Sequence, residues 1–289
     1  MKLRSRVVAF VLLFSRYLGR YGRYIGVSIQ YYQLRRRFPN LINPRNISEY
    51  ILSSLCKTSF LQYADLADKV KVREYVKSKG LGCLLLEHYA VWDNVDDIEL
   101  SDLPNKFILK PNNGSGGHVY CRCSKTFDLI KAKQILRENL SRAKEYFYEP
   151  HYLKITPKIF AEQLLDLGEG RVLTDYKFTC VKGDVVDVFL ASENSDGVRK
   201  YATLDTSWTI LPYTKKEYLM DEIPQKPADF DKMLEYAKIL SEDFPFVRVD
   251  LYEYMGAIYF SELTFTPWGG YMYSYTDEAI EILGEHLRK

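Results

Sequence analysis

The first absence is acidic: no aspartate or glutamate occurs in the first 45 residues of this 289-residue sequence. Long apolar runs are missing too. The longest, VVAFVLLF at residues 7–14, spans eight residues, far short of the ~20 that a membrane-spanning helix requires. Arginine resumes at Arg16 and no small-residue cleavage pair follows the run, so no secretory leader is expected. Cysteine is sparse. Five residues make no even disulfide framework, and Cys121 and Cys123 stand two apart on one expected strand, outside ordinary disulfide geometry. They read as reduced thiols of a cytosolic compartment. The four histidines form no cluster with this CxC pair that would mark a metal site, and no Ser–His–Asp or Cys–His signature is present. Internal repeats and low-complexity tracts are absent. Hydrophobic residues at 47% and charged residues at 27% are the proportions of an ordinary globular protein, which excludes a disordered or fibrous chain. The 24 tyrosines are many, and either line a sugar-binding surface or reflect biased codon usage.

The acid-free segment carries Lys2, Arg4, Arg6, Arg16, Arg20, Arg23, Arg35, Arg36, Arg37 and Arg45, a charge of +10. The remainder has 30 basic against 38 acidic residues, or −8. Val7, Val11, Phe14, Leu18, Tyr21, Ile25, Ile29 and Tyr32 recur at helical spacing, with Arg16, Arg20 and Arg23 on another face. Residues 1–41 therefore read as a basic amphipathic helix on an anionic membrane surface, where each cation contributes ~1 kcal/mol. Packing of the helix on the domain or on a partner is the alternative. No nucleic-acid partner is expected.

A mixed, mainly helical segment is expected over residues 42–105, with a helix at 64–80 stopped by Gly80. Strands FILK and HVYCRC flank a turn, and a long helix is expected at 127–147. Residues 158–166 are strand-like, and 173–192 form a hairpin about Lys182-Gly183-Asp184. A helix follows at 228–244, then a second hairpin at 246–265 turning near Met255-Gly256. Hairpin connections between interleaved strands and helices predict an α+β fold with antiparallel sheets, in lobes of about 106–165 and 166–289.

Within this frame, FILKPNNGSGGHVYC at 107–121 places Lys110 at a strand end, followed by Asn112, Asn113, Gly114, Ser115, Gly116 and Gly117. Such a loop can bring bare backbone N–H groups to an anion. The order is not that of a P-loop, in which the lysine follows the glycines. In the last hairpin Arg248 and Asp250 share a strand face, and a tight turn could bring Glu262 beside Asp250. Facing carboxylates repel unless neutralised, by Mg²⁺ or by Arg248 itself. Asp175 and Lys177 likewise share a face, as a phosphate contact or a surface ion pair. Glu162 precedes Gln163 and Leu164 in a segment whose backbone could receive a base.

Taken in order, ADKVKVREYV, LPNKFILKPNNGSGG, DYKFTCVKGD, PFVRVDLY and YFSELTFTPWGG resemble the ATP-grasp superfamily, and more closely its teichuronopeptide-biosynthesis branch. The resemblance runs from about Ile42 to the C-terminus. It implies the ATP-grasp fold, two α+β lobes holding ATP between antiparallel sheets. Lys110 and Lys177 would contact phosphates, and Asn112 to Gly117, with Asn113, Gly114, Ser115 and Gly116 between, would close over them. His118 in that loop would touch phosphate or stay solvated. Glu162, Gln163 and Leu164 would form the adenine hinge. Asp250 and Glu262 would hold Mg²⁺, and Arg248 would stabilise the reacting group. Where most ATP-grasp enzymes place a metal-binding asparagine, this chain has Thr264, a weaker ligand.

The implied activity is ATP-dependent formation of an amide from a carboxylate through an acyl phosphate. The branch suggests a uronic-acid carboxylate of a bacterial surface polysaccharide or lipid-linked glycan, joined to an amino acid or other amine at the cytoplasmic leaflet. Arg199 and Lys200, in the segment 192–208, would receive an anionic substrate and Trp208 a sugar face; loop cations and a core tryptophan are the alternative. A glycan kinase is a rival reading. A glycosyltransferase ranks lower, with no paired nucleotide-sugar site and only Asp96-Asp97 as an acidic pair. A non-enzymatic scaffold is disfavoured by the intact lysines, Asp250 and Glu262.

Overall fold

The computed structural model describes residues 15–141, 148–168, 173–193 and 198–288. In chain order these form α1 (Gly19–Arg35), α2 (Ile47–Cys56), α3 (Ala64–Ala67), α4 (Val72–Ser78), β1 (His88–Trp92), β2 (Phe107–Pro111), β3 (Val119–Cys121), α5 (Leu129–Ser141) and β4 (Ile159–Glu162). Then follow β5 (Asp175–Val181), β6 (Asp184–Glu193), β7 (Arg199–Leu204), β8 (Ile210–Leu211), α6 (Phe230–Ser241), β9 (Phe246–Tyr254), β10 (Ala257–Thr264) and α7 (Asp277–Arg288). The strands make two antiparallel sheets, one in the order β1-β4-β2-β3 and one in the order β10-β9-β5-β6-β7-β8. The α+β architecture matches the expectation.

Two hairpins of the larger sheet turn where the sequence places them. Lys182 and Gly183 (φ 51° and 83°), and Met255 and Gly256 (φ 53° and 76°), are left-handed pairs, the conformation whose twist suits a two-residue hairpin. Each hairpin then carries a bulge. In β9–β10 the register slips between Phe260 and Glu262, so that Glu262 lies opposite Asp250. Uninterrupted counting from the turn would have put Ser261 there and sent Glu262 to the other face.

The smaller sheet packs on α5 through Phe107, Leu109, Ile159, Ala161, Ala132 and Leu136. A larger core joins the six-stranded sheet to α1, α2, α6 and α7. Both cores reach outside the expected lobes. The lobe placed at 106–165 takes β1 from the preceding segment, because β1 pairs with β4 along four positions. The later lobe takes α2, whose Ile47, Ile51, Leu52 and Leu55 are fully buried.

The helix expected over 64–80 is interrupted. Asp68 leaves helical geometry (ψ 114°), and its carboxylate accepts the Val70 and Lys71 N–H groups. This is the competition of a short acidic side chain with the helix backbone. Asp68 also accepts from Asn112 Nδ2 at 2.9 Å, so the break anchors the glycine-rich turn.

The long helix at 127–147 is described as far as Ser141, with 142–147 outside the described residues. Within segment 192–208, Arg199–Leu204 form strand β7 rather than a loop, because they add to the edge of β6. Trp208 packs edge-on against Phe230 at 4.8 Å and belongs to the core.

Of the amphipathic helix, residues 1–14 lie outside the described residues. Tyr21, Ile25 and Tyr32 are exposed on α1, as is Leu18 just before it, and Tyr32 stacks on exposed Phe38 at 4.9 Å. Another face, with Val27 and Tyr31 fully buried, docks on the domain. Arg23, expected on the polar face with Arg16 and Arg20, is buried and donates to the Leu55 carbonyl. Arg35 is buried as well. Its guanidinium donates to the carbonyls of Tyr271, Met272 and Tyr275 and pairs with Asp277. Five planar donors satisfy several carbonyls at once, which suits arginine for such a seam.

Candidate active site

The larger sheet presents one rank of charge. Lys177 pairs with Asp250 across β5–β9, and Asp250 with Glu262 across β9–β10. Side chains directly opposite share a face. Two residues earlier on β9, Arg248 lies opposite Thr264, and Asp175 extends the same face of β5. The rank is closely paired. Asp250 receives Lys177 Nζ at 2.6 Å and Arg248 at 2.6 and 2.7 Å, while Lys177 also meets Asp175 at 3.1 Å. Arg248 donates to the Thr264 hydroxyl at 3.1 Å, which donates on to Glu262 at 2.9 Å.

Burial would pull Lys177 down, but Asp250 and Asp175 outweigh it and hold its pKa above the ordinary lysine value. Burial would likewise raise Glu262, yet Lys69 and Arg248 hold it down to about 2. Lys177 and Glu262 therefore keep their charges at neutral pH.

The smaller sheet faces it. Lys110 on β2 pairs with Glu162 on β4, which also meets His88 Nε2 at 3.4 Å. Burial would raise Glu162, but Lys110 and His88 bring it down to about 2. Between the sheets runs a cleft of about 550 Å³, its lining including the apolar Leu86, Phe160 and Phe260. Gly114, Ser115, Gly116 and His118 line it from the turn. Burial, with Lys110 and Lys69 nearby, pushes the His118 pKa down to about 4, so the imidazole is neutral.

Lys110, Glu162, Lys177, Arg248, Asp250, Glu262 and Thr264 thus meet in one cleft, and Arg199 lines it too. Other expected site residues are placed differently. Gln163 and Leu164 are half-buried beside the cleft, with the Gln163 N–H donating to the Glu87 carbonyl at 2.9 Å. Asn112 and Asn113 are buried under the turn, and Gly117 lies outside the cleft lining. Lys200 lines a separate hollow with Thr174, Ser192 and Met220, and donates to the Glu217 carbonyl at 3.3 Å. Alternation along β7 explains this, since Arg199 and Lys200 must point to opposite faces.

Lys69, Arg73, Trp268 and Glu149 are among the cleft residues with no role assigned from the sequence. Lys69 donates to the Gly114 carbonyl at 2.6 Å and lies 3.3 Å from Glu262, tying the turn to the charged rank. Arg73 lines the cleft beside it. Both belong to ADKVKVREYV, so that string was the signal. Trp268 lines the cleft where Trp208 does not, with the Arg248 guanidinium 5.6 Å from its ring centre. Glu149 gave no signal.

The donor chemistry fits Mg²⁺. Asp250 and Glu262 are hard oxygen ligands on paired positions. Two such carboxylates are the donor set for an ion whose remaining ligands are phosphate oxygens and water.

A model of the TupA-like ATP-grasp family matches residues 49–288. D-alanine–D-alanine ligase from Helicobacter pylori is similar at 16% identity over 77% of this chain and 60% of that one, with TM-score 0.42. The ATP-grasp ligase PsnB complexed with minimal precursor is 12% identical over 77% and 59%, TM-score 0.43. L-amino acid ligase from Bacillus licheniformis is 15% identical over 74% and 45%, TM-score 0.39. This chain therefore spans about 60% or less of the length of these solved ligases. No curated protein matches it.

Proposed function

We propose a reaction from the premise that this chain belongs to the TupA-like ATP-grasp family: ATP-dependent joining of a carboxylate to an amine, forming an amide, ADP and phosphate. The carboxylate is that of a uronic acid in a bacterial surface glycan, free or lipid-linked, and the amine an amino acid or related compound. The observation that carries the reading is the single cleft in which Lys177, Asp250, Glu262 and Arg248 of one sheet face Lys110 and Glu162 of the other.

Lys110 and Lys177 serve as phosphate contacts once nucleotide competes for their carboxylate partners. Asp250 and Glu262 hold Mg²⁺, which supplies neutralisation of phosphate charge when bound. The substrate carboxylate attacks the γ-phosphorus as the bond to ADP breaks. The amine then attacks the acyl carbon and phosphate departs. Arg248, fixed by Asp250 and stacked towards Trp268, is placed to bind the negative oxygens of both steps. An acyl phosphate needs shelter from water, and the turn tethered through Lys69 provides a cover. Arg199, Tyr201, Tyr273 and Trp268 line the cleft and suit an acidic sugar.

Calorimetry of wild type beside Glu262→Gln tests the site. Mg²⁺-dependent ATP binding is expected in wild type and at least tenfold weakening in the variant; equal binding would refute the assignment. Phosphate release with uronic-acid glycans and amines then reads the reaction, and a phosphorylated glycan without free phosphate would identify a kinase instead.

The same reading places the enzyme on an anionic leaflet through the exposed Leu18, Tyr21, Ile25 and Tyr32 and the cations of the basic segment other than the buried Arg23 and Arg35. No helix among the described residues is long and apolar enough to cross a membrane. The full chain is expected to sediment with phosphatidylglycerol vesicles, several-fold less after Tyr21→Glu with Ile25→Glu, and to ignore phosphatidylcholine. Unchanged sedimentation of the double variant would remove the helix from this role.

A further inference from the structure

Among the described residues, one carboxylate in the cleft lacks a cation. Among the acids lining it, Glu162 faces Lys110 and His88, Asp175 faces Lys177, Asp250 faces Lys177 and Arg248, and Glu262 faces Lys69 and Arg248. Glu149 faces no lysine, arginine or histidine within ion-pair distance among the described residues. It has one side-chain partner, the Thr266 hydroxyl, which donates to Oε1 at 2.6 Å. A carboxylate taken from water at a cleft wall is costly unless a cation joins it. Burial alone pushes its pKa up to about 7. The other four acids are matched by the protein itself, and this one is left for whatever enters.

The surroundings specify the entrant. Oε2 is directed towards Gly269, where a Cβ would lie 3.9 Å away. Gly269 itself is left-handed at φ 62°, a conformation that disfavours any side chain. Tyr152, whose N–H bonds back to the Glu149 carbonyl, lines the same cleft, as does Trp268. Aromatic side chains in a cleft that also holds a lone carboxylate suit an organic cation. Trp268 reaches from this region to Arg248, and Thr266 follows Thr264 by two residues beyond the charged rank. The cleft thus holds both an anion-binding guanidinium and an unmatched carboxylate.

We infer that Glu149 is the ammonium subsite of the cleft, binding the protonated amine that becomes the nitrogen of the product. The inference rests on the ligase reading. In the second step the ammonium gives one proton to Glu149, its freed lone pair forms the C–N bond, and the acyl C–O bond breaks with its electron pair leaving on phosphate. The new nitrogen carries one surplus proton, which leaves with phosphate, and the Glu149 proton returns to solvent as product departs.

The test needs no turnover. Crystals of the full chain are soaked with thallium(I), a monovalent stand-in for ammonium with an anomalous signal. A peak in contact with Glu149 Oε2 is expected in wild type, weakened in Glu149→Asp and absent in Glu149→Gln, whose melting curve reports its fold. No peak in wild type, a peak surviving in Glu149→Gln, or a site taken by Mn²⁺ in a parallel soak would each overturn the ammonium assignment. Failure of the ligase reading shows separately, as absence of ATP binding or phosphate release in the unsoaked wild type.

Discussion

Asp250→Ala is expected to lower stability by about 3–5 kcal/mol besides abolishing nucleotide binding, because breaking a buried ion pair strands its partners. Asp250 is 1% exposed, and both its oxygens are occupied by Arg248 and Lys177. Without it two buried cations share what remains: Asp175 at 3.1 Å from Lys177 and Glu262 at 3.4 Å from Arg248. These partial substitutes place the loss towards the lower end of the range. Glu262 is the contrast, with a side chain 29% exposed and water able to replace part of what it offers. Glu262→Gln is expected to keep most of the stability while losing Mg²⁺-dependent binding. Urea unfolding of both variants separates the roles. A loss under about 1 kcal/mol for Asp250→Ala would mean that the rank relaxes freely around the gap, contrary to its close pairing.

How much of this was legible in the sequence follows the range of the interactions. Lys182-Gly183 and Met255-Gly256 announced their hairpins because left-handed pairs between alternating strands are local events. The face shared by Arg248 and Asp250 is equally local. The approach of Glu262 to Asp250 was anticipated, yet it depends on a bulge that no residue type declared. Asp68 reads as one more polar helix residue, since its bond to Asn112 joins segments 44 residues apart. Trp208 and Trp268 could not be ranked from sequence. Each follows a turn-like stretch, and only the packing of Phe230 against one and the position of Arg248 beside the other separate them. Glu149 was silent because its meaning is a missing partner, and an absence of cations in space has no sequence pattern. The family strings supplied the order of parts, while the pairing of those parts came from the sheets.

That pairing has a measurable acid signature in the smaller lobe, and Lys110→Met exposes it. Glu162 has its pKa held down to about 2, well below the ordinary glutamate value. A depressed carboxyl contributes stability that is complete above its unfolded value and is lost as pH falls through the folded one. In wild type the Glu162 contribution, on the order of 3 kcal/mol, should therefore fade between pH 4.5 and about 2. Lys110→Met removes the main cation and leaves Glu162 buried with His88. The carboxyl must then rise, and protonation favours the folded form as pH drops. The variant is expected to be about 2–4 kcal/mol less stable than wild type at pH 7, with the gap closing towards pH 2.5. It should also bind ATP about 100-fold more weakly, the expected cost of truncating one buried charged contact. Urea midpoints at pH 7, 4 and 2.5 measure the first effect and calorimetry the second. A stability gap that stays constant with pH would show that Lys110 acts through packing rather than charge. A closing gap with unchanged ATP affinity would leave the Lys110–Glu162 pair structural and confine the phosphate contacts to Lys177 and the glycine-rich turn.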